Sequence, residues 1–444
     1  IALHYPCGIA SCSEGLIIAD TYHHQIKAVD FRDKNRIKVL AGCGHAGYLD
    51  GPAESARFRE PSAVVVTKDY RIFIADRGNG VIRELMPDSR VRTVAGCNRH
   101  DMRQQQKRLS KQCDDDDRSK EYSTKSKLPT LGPEWPPAPL AASYVDGEGS
   151  KATFGSIEAM TISRDEGKIY IADAKARVIR RMVISDTSFT VTTVVGGNHG
   201  AAPTSWNDTT DGCSRPYFIH PSSIAQGPDG YLYVGSHNGE YNIRRIDPLT
   251  KEVISFAGSR DEEGDRDGAF SKARFKSAMG LSFDEGGDLF VADVRAFKIR
   301  RISARTGEVT TVAGSGHLGF MDGCSRDASF AAPLAVAASF PWNKFQYRIF
   351  VLDALAGTVR RLEVSRRLRE RARERDFFRE MRAMEKLDSE AADDIRARIM
   401  DIDDSFGDAF ARLRQRQSRL LDSSGGSDDN LMGRQYGYAP HDNG

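Results

Sequence analysis

The sequence lacks long apolar runs, an excess of charge of either sign and any paired-cysteine motif. No stretch approaches about eighteen consecutive apolar residues, which excludes a transmembrane helix within these 444 residues. Lys and Arg number 64 against 62 Asp and Glu, so the net charge gives no reason to expect a nucleic-acid partner. The seven cysteines include no Cys-x-x-Cys spacing, and their odd number favours free thiols in a reducing compartment. We therefore expect a cytoplasmic protein.

Motifs for catalysis and metal binding are also scarce. The chain contains no Gly-x-Ser-x-Gly, no Gly-rich phosphate loop, and no His-x-His or His-Glu-x-x-His among its ten histidines. Residues 262–274 imitate a calcium loop through Glu263, Asp265 and Asp267, but Arg274 stands where a bidentate Glu is required. The sequence therefore predicts no catalytic residue, no cofactor and no metal ligand.

What the sequence has in abundance is repetition. A pattern of apolar residues, Ala-Asp, Ile-Arg and Val-x-Thr-Val-Ala-Gly is clearest in IFIADRGNGVIREL…VRTVAG at 72–96, and related copies bring the total to six. The copies recur about every 60 residues, apart from one longer gap of 97 residues. Repetition at one period predicts supersecondary units that bury their faces against their neighbours. The repeated acids are Asp20, Asp76, Asp173, Asp293 and Asp353, with Ser236 in the fourth copy.

Each copy contains four short β-rich runs separated by turn residues. In the second copy the runs are SAVVVT, RIFIAD, VIRELM and VRTVAG, with turns at Lys68-Asp69, Gly78-Asn79-Gly80 and Pro87-Asp88. Six antiparallel four-stranded units predict an all-β, six-bladed β-propeller over residues 1–364.

These units resemble NHL repeats. The linkers between them resemble those of plant and protist NHL-domain proteins, and they read DGPAESARF, DGEGSKATF, DGAFSKARF and DGCSRDASF. The resemblance implies a propeller fold. It also implies a range of functions, because NHL propellers serve as protein-binding scaffolds, RNA-binding modules and sensor domains, and related propellers are lyases or hydrolases.

The repeated Asp is interpreted as a structural residue. It stands at a strand end, where Asp commonly accepts backbone N–H bonds from the turn that follows. Recurrence in five of six copies favours a structural role, since a catalytic group is usually singular. Loss of one such cap is expected to cost about 1–2 kcal/mol.

Paired arginines are a second repeated feature. Their stems are expected to pack between blades while the guanidinium groups bind carbonyls or the repeated carboxylates, with an RNA-binding face as the alternative. The pairs are Arg180-Arg181, Arg244-Arg245, Arg300-Arg301 and Arg360-Arg361.

The sixth copy has no Val-x-Thr-Val-Ala-Gly run. VRRLEV at 359–364 leads directly into a charged segment, and IALHYP at the start of the chain takes the place of ARFREP at 56–61. We therefore expect three strands in blade six, ending near Val364, unless a segment upstream of Ile1 completes it. The missing run and the absence of an initial Met indicate a fragment or a processed product.

Three segments lie outside the predicted blades. Residues 98–140 are polar and then Pro-rich, which predicts a disordered or extended insertion with Trp135 as a candidate docking anchor. Residues 365–421 lack Pro and predict a charged amphipathic helical arm with a coiled-coil seam, which either packs on the propeller or binds a partner or second copy. Residues 422–444 read as a disordered tail. The candidate partner-binding residues of the seam are Met381, Met384, Ile395, Ile399, Ile402, Phe406, Phe410 and Leu413.

The sequence favours a non-enzymatic protein-interaction scaffold, in which the propeller and the helical arm bind a protein partner or a second copy. Two alternatives from other classes stay open: a metal-dependent hydrolase or lyase at the central channel, and an RNA-binding module. The segment Gly235–Glu240 breaks the repeat in blade four and is the first place to look for a channel site. A divalent ion in the channel would favour the hydrolase or lyase, and a one-sided basic face with exposed aromatics would favour RNA.

Overall fold

Strands organise the part of the chain that the structure, a computed structural model, describes: residues 2–97, 144–185, 188–197, 218–237, 239–339 and 348–363. These residues belong to the first of two units into which the chain divides, Ile1–Glu370 and Arg371–Gly444. Within them the strands form six antiparallel sheets, one for each repeat. The predicted all-β, six-bladed propeller is thereby confirmed.

The first three blades hold fourteen strands in chain order. Blade one contains β1 (Gly8–Cys12), β2 (Gly15–Asp20), β3 (Gln25–Asp30) and β4 (Arg36–Ala41). Blade two contains β5 (Gly51–Pro52), β6 (Pro61–Val66), β7 (Ile72–Asp76), β8 (Val81–Leu85) and β9 (Arg90–Ala95). Blade three contains β10 (Gly147–Glu148), β11 (Ile157–Ile162), β12 (Lys168–Asp173), β13 (Val178–Ile184) and β14 (Phe189–Gly196).

The other three blades follow the same order. Blade four contains β15 (Pro221–Gln226), β16 (Leu232–Ser236), β17 (Tyr241–Ile246) and β18 (Val253–Ser259). Blade five contains β19 (Gly268–Ala269), β20 (Ala278–Phe283), β21 (Leu289–Asp293), β22 (Lys298–Ile302) and β23 (Glu308–Ala313). Blade six contains β24 (Pro333–Ser339), β25 (Arg348–Asp353) and β26 (Thr358–Glu363). Short 3-10 turns occupy Thr21–His23, Gly149–Lys151 and Val294–Ala296.

Each blade is a meander in which consecutive long strands pair with one another. The two-residue strands β5, β10 and β19 come from the Asp-Gly linkers and pair with the outermost strand of the blade that they precede. The linkers therefore fold back on the following blade, and their Asp residues belong to that blade.

The first long strand of each blade lies beside the first long strand of the next, and β24 lies beside β1, which closes the ring. Serine side chains connect these inner strands. The hydroxyl of Ser62 donates to the carbonyl of Ile157 at 2.6 Å, and that of Ser11 in blade one donates to the carbonyl of Ala338 in blade six at 2.8 Å. The ring is thus joined between its first and last blades through the inner strands.

Apolar side chains fill the interfaces between successive blades. The second strand of each blade, such as β7, is buried along its whole length because neighbouring blades cover both faces of the sheet. Blades six and one share such a core, formed by Leu16 and Ile18 from one blade and Phe350 and Leu352 from the other. The apolar runs in the sequence are therefore strands buried on both faces.

The glycine that ends Val-x-Thr-Val-Ala-Gly is required by backbone geometry. Gly96 and Gly314 have φ values of 102° and 107°, in the left-handed region. A Cβ on Gly96 would lie 2.7 Å from the carbonyl oxygen of Gly80, and one on Gly314 would lie 2.3 Å from that of Phe297. This close approach explains why the outer strand of the repeat ends in Gly.

Blade six has three strands within the described residues, the last of which spans Thr358–Glu363. The start of the chain also has the predicted register, since the backbone N–H of His4 bonds Asp20 as that of Arg59 bonds Asp76. The predicted insertion at 98–140, the helical arm at 365–421 and the tail at 422–444 lie outside the described residues.

The two faces of the ring differ in what they carry. The turns between second and third strands and the starts of the first strands lie on one side, which we call the linker face. The turns between first and second strands and between third and fourth strands lie on the other side, which we call the hairpin face.

Candidate functional site

The repeated aspartates end the second strands and are all buried. Each carboxylate accepts backbone N–H bonds from the residues just before the first long strand of its own blade. Asp293, for example, accepts from the N–H groups of Lys276 and Ser277, the shorter bond being 2.8 Å. The backbone donors differ from those expected, because among the described residues only Asp173 also accepts a backbone N–H bond from the turn that follows, from Ala176 at 3.3 Å. In blade two the turn supplies a side-chain donor instead, Nδ2 of Asn79, which donates to Asp76 at 2.7 Å. Folding of the linker against the strand end supplies closer backbone donors than the turn.

A buried arginine on the third strand completes this arrangement. In blade two, Arg83 contacts Asp76 at 3.0 Å through Nη1 and the linker residue Asp50 at 2.9 Å through Nε. It also donates to the carbonyls of Arg57 and Leu49, at 3.2 and 2.7 Å. Every face of the guanidinium group is therefore engaged by its own blade.

The same set of contacts recurs in blades three, five and six, and we call it the arginine clamp: one arginine, the repeated Asp, the linker Asp and the linker Phe. The guanidinium carbon lies 4.6–5.2 Å from the centre of the phenylalanine ring in these blades and in blade two. These cation–π contacts explain the Ala-x-Phe element of the linker. The clamp residues are Arg83, Asp76, Asp50 and Phe58; Arg180, Asp173, Asp146 and Phe154; Arg300, Asp293, Asp267 and Phe275; and Arg360, Asp353, Asp322 and Phe330.

The clamp arginines do not form a basic surface. In blades two, three and five the first arginine of each repeat is buried and paired. Phosphate binding needs accessible guanidinium groups, and these arginines have none to offer. The RNA-binding alternative was based on the repeated arginines, and their burial in the clamp argues against it.

Blade four keeps the clamp with different residues. Ser236 replaces the repeated Asp, and its hydroxyl donates to Glu240 at 2.9 Å. Glu240 accepts the N–H of Ile219 at 3.2 Å and lies 3.7 Å from Arg244, whose guanidinium group stacks on Phe218. Blade four has one extra residue between the end of its second strand and Arg244. The carboxylate of Glu240, from the turn between them, therefore occupies the place of the missing Asp. Sequence reasoning singled out this segment but missed the substitution by Glu240.

Burial governs the ionisation of the repeated acids. It raises the pKa of Asp76 and of Asp293 to about 6, against the opposing effects of the neighbouring arginine and the N–H donors. Both carboxyl groups are consequently mainly ionised at neutral pH and can pair with the arginines.

The segment that imitates a calcium loop uses its carboxylates in ion pairs. Asp265 contacts Lys298 at 2.7 Å, Asp267 binds the clamp residue Arg300, and Glu262 binds Arg274. Among the residues that the structure describes, no group of three or more His, Cys, Asp or Glu side chains is placed to hold a metal ion.

A cluster of non-repeated side chains lies at the centre of the linker face. Arg77 of blade two bridges its neighbour Glu60 at 3.3 Å and Glu158 of blade three at 3.0 Å. The positive charge of Arg77 opposes the rise in the pKa of Tyr5 and of Cys7 in blade one. The negative charge of Glu158 opposes the fall in the pKa of His237 in blade four. These groups come from four blades and lie within electrostatic range of one another, and we call Tyr5, Cys7, Arg77, Glu158 and His237 the mouth cluster.

The mouth cluster is poorly suited to nucleophilic catalysis. Burial raises the pKa of the Cys7 thiol, which disfavours the reactive thiolate. Burial also lowers the pKa of His237, with the neighbouring His220 adding to the effect, and the ring bonds the hydroxyl of Ser277 at 2.9 Å. That hydroxyl belongs to a fully buried residue, so a substrate has no direct access to it. The carboxylates of Glu60 and Glu158 are both held in ion pairs with Arg77.

An aromatic group borders the mouth cluster. Tyr5 stacks on Tyr22 with ring centres 5.2 Å apart, and His4 meets both Tyr22 and His23 edge-on. Tyr22 is 46% exposed, and Leu355, on the corresponding turn of blade six, is 60% exposed. The linker face therefore presents apolar side chains next to fixed charges.

Other sequence predictions have mixed outcomes. The cysteines Cys7, Cys12, Cys43, Cys97 and Cys324 carry free thiols, whereas Cys113 and Cys213 lie outside the described residues. Trp135 and the seam residues Met381–Leu413 also lie outside them. In the part of the chain that is described, no helix is long and apolar enough to cross a membrane.

The repeated acid of blade two is predicted to stabilise the fold more than a simple cap does. Asp76→Ala removes the buried carboxylate that accepts from Nη1 of Arg83, the N–H of Arg59 and the side-chain amide of Asn79, so we expect a loss of about 3 kcal/mol in unfolding free energy. Asp88→Ala, in the exposed turn of the same blade, is the control and is expected to cost less than about 1 kcal/mol. Denaturant unfolding followed by circular dichroism measures both, and equal losses would contradict the clamp.

Glu240 is predicted to carry the clamp of blade four. Glu240→Ala is expected to lower the melting temperature about as much as Asp293→Ala, whereas Ser236→Ala is expected to have a small effect. In the Glu240→Ala background, Ser236→Asp should recover part of the loss, because it restores the carboxylate that the other blades use. Absence of any recovery would show that Glu240 does not stand in for the repeated Asp.

Comparisons with known proteins agree with the repeat architecture. No family model matches the chain. NHL repeat-containing protein 2 of Bos taurus is 25% identical over 339 residues, which cover 72% of this chain and 41% of that protein. Protein SUPPRESSOR OF QUENCHING 1, chloroplastic, of Arabidopsis thaliana is 38% identical over 84 residues, 19% of this chain and 8% of that protein. The chain thus spans less than half the length of these curated relatives.

A solved structure shows the same fold. It is a structural genomics protein of unknown function from Bacteroides thetaiotaomicron VPI-5482, with a TM-score of 0.53 and 16% sequence identity, covering 81% of this chain and 69% of that one. Taken with the six sheets and the recurring Asp, Arg and Ala-Gly positions, the likeness to NHL repeat-containing protein 2 supports an NHL-repeat β-propeller.

Proposed function

We propose that the protein is a non-enzymatic interaction scaffold whose propeller binds a protein partner through the linker face. The observation that supports this proposal is the exposed aromatic group around Tyr22, which shares the linker face with the exposed Leu355 and the Arg77 ion pairs. Tyrosine and arginine are the residues that most often anchor protein interfaces, since they combine apolar contact area with hydrogen-bonding groups.

The rigidity of the ring also supports a binding role. The mouth cluster is supplied by four blades, each of which holds a buried carboxylate–cation pair at the end of its second strand, and these pairs fix the strand ends that carry the cluster. A surface of that kind loses little conformational entropy when a partner binds. Catalysis at the channel mouth has less support, because the described carboxylates and hydroxyls there are paired or buried.

The linker face can be tested with a matched pair of variants. Tyr22→Ser combined with Leu355→Ser removes two exposed apolar side chains, and we expect partner binding to weaken at least about tenfold, since each buried side chain of this size contributes about 1.5–3 kcal/mol. Leu249→Ser, on the hairpin face and 86% exposed, is the control. Quantitative proximity labelling with the full chain compares the two.

The proposal loses its basis if both variants retain the same partners at the same yield. It gains support if the double variant loses partners that the Leu249→Ser variant keeps, with unchanged melting temperatures. Unchanged melting is expected because all three side chains are exposed.

We propose further that the predicted helical arm at 365–421 contributes to partner binding, in the cytoplasm. This part of the proposal rests on the sequence alone, through the apolar seam that runs from Met381 to Leu413. An exposed stripe of that length is unfavourable in water, so a covering surface is required.

The seam predicts a specific loss of association. Ile399→Asp combined with Phe406→Asp is expected to abolish partner or self-association while leaving the melting of the propeller unchanged. Ser389→Asp combined with Gln415→Asp adds the same charge beside the seam and serves as the control. Sedimentation and affinity capture measure association. If the first variant retains every partner, the arm does not contribute to partner binding.

A further inference from the structure

One turn of blade one joins that blade to blade two on the linker face. The turn between β2 and β3 contacts the residues that precede β6 through two side chains. The hydroxyl of Thr21 donates to the carbonyl of Pro61 at 2.8 Å, and the backbone N–H of Glu60 donates to Nδ1 of His24 at 3.2 Å. Thr21 is fully buried and His24 is half-buried. We call these four residues the blade one–two joint.

The joint holds Glu60 in an unfavourable backbone conformation. Its φ is 49°, in the left-handed region, and the proline that follows it restricts its backbone further. A residue of this kind keeps its conformation only where surrounding contacts hold it. Two such contacts are the bond to His24 and the ion pair of the Glu60 carboxylate with Arg77 at 3.3 Å. Loss of the bond to His24 therefore favours relaxation of Glu60, and Glu60 supplies one of the two carboxylates that position Arg77.

The bond to Glu60 requires a neutral imidazole. A backbone N–H is only a donor, so Nδ1 of His24 is the acceptor and carries no proton, and the ring proton lies on Nε2. Protonation of the ring places a second N–H on Nδ1, where it faces the N–H of Glu60. His237 of blade four provides a contrast, because its Nδ1 bonds the hydroxyl of Ser277 at 2.9 Å. A hydroxyl both donates and accepts, so that bond survives protonation of the ring, whereas the bond of His24 does not.

The groups around His24 act on its protonation in opposite directions. Burial lowers the pKa of His24, the charges of Arg59 and His23 lower it further, and the carboxylate of Glu60 raises it. Because the result is a lowered pKa, the joint stabilises the fold above the ordinary histidine pKa of about 6.5, and this contribution is lost as the pH falls through the lowered value. The titratable and charged groups of the surrounding elements are Arg59, Glu60, His23, Asp20, Lys27 and Asp76.

We propose that His24 is a proton-sensitive latch: protonation of its imidazole breaks the bond to Glu60 and loosens residues 59–61 on the linker face. The latch is closed at neutral pH and opens in mild acid. Once it opens, Glu60 no longer holds Arg77 in place, so the surface around the mouth cluster changes. The expected weakening of partner binding in acid rests on the function proposed above, whereas the opening of the joint does not.

Hydrogen exchange tests the latch in the free 444-residue chain. The variant is His24→Asn, because Asn tolerates a left-handed φ such as the 55° of this residue, offers a carbonyl oxygen to Glu60 and does not titrate. Between pH 7.5 and pH 5.5, after correction for the intrinsic exchange rate, the protection factor of the Glu60 amide should fall at least about threefold more in the parent chain than in His24→Asn. His45→Asn, at an exposed histidine in the linker that follows β4, is the control and should respond as the parent chain does.

The comparison separates His24 from a second group that titrates in the same range. Burial raises the pKa of Asp76 to about 6, and Asp76 accepts the N–H of Arg59. Since Asp76 is present in every variant, the difference between the parent chain and His24→Asn reports His24. An equal acid response of the Glu60 amide in these two proteins would overturn the proposal. So would nitrogen-15 NMR of histidine-labelled protein that finds a proton on Nδ1 of His24 at pH 7.5.

Affinity capture at the two pH values tests the consequence for binding. Proteins whose capture requires Tyr22 and Leu355 should be recovered at least about threefold less at pH 5.5 by the parent chain, and this difference should shrink below about twofold with His24→Asn. Equal recovery by the parent chain at both pH values would overturn the regulatory role of the latch. If no captured protein depends on Tyr22 and Leu355, the proposed function fails, and the exchange difference at Glu60 decides the latch by itself.

Discussion

The buried pairing of an aspartate at the end of the second strand with an arginine on the third is the interaction on which each blade depends. Removing two charges from water is costly, and the pair is tolerated only because additional donors and acceptors satisfy both groups. Here those groups come from the linker: its backbone N–H groups bind the aspartate, and its carbonyls and second Asp bind the arginine. The clamp therefore fixes the path of the linker as well as the strands. A ring of blades needs this, since each linker sets where the next blade begins.

Blade four shows that the constraint is on the position of a carboxylate rather than on one residue. Ser236 is too short to reach the N–H of Ile219, and Glu240 reaches it from the turn while staying close to Arg244. In blade one, which follows no described Asp-Gly linker, Lys27 takes the place of the arginine and bonds both Asp20 and the carbonyl of Ala2. Two different solutions at one structural point indicate that a buried pair of a carboxylate and a cation is what the fold requires there.

The sequence predicted the architecture well because the residues that determine the fold recur at regular intervals along the chain. Blade number, strand order, the register at His4 and the three strands of blade six all follow from residues that recur about every 60 positions. The donors to the repeated Asp were misplaced, because the folding back of a linker onto a strand end leaves no local pattern. Glu240 was missed for a related reason, because it lies in a turn, outside the positions that the repeat aligns.

The mouth cluster was invisible to sequence reasoning on different grounds. Arg77 and Glu158 come from blades two and three, and only the ring closure brings them within 3.0 Å. Neither residue recurs at its position in the other copies, so no alignment of the repeats singles them out. Residues that build a blade recur from copy to copy of the repeat. Residues that distinguish one blade from the others do not recur. A propeller's individual function therefore has to be sought among the residues that break the repeat, and here those residues meet on the linker face around Arg77.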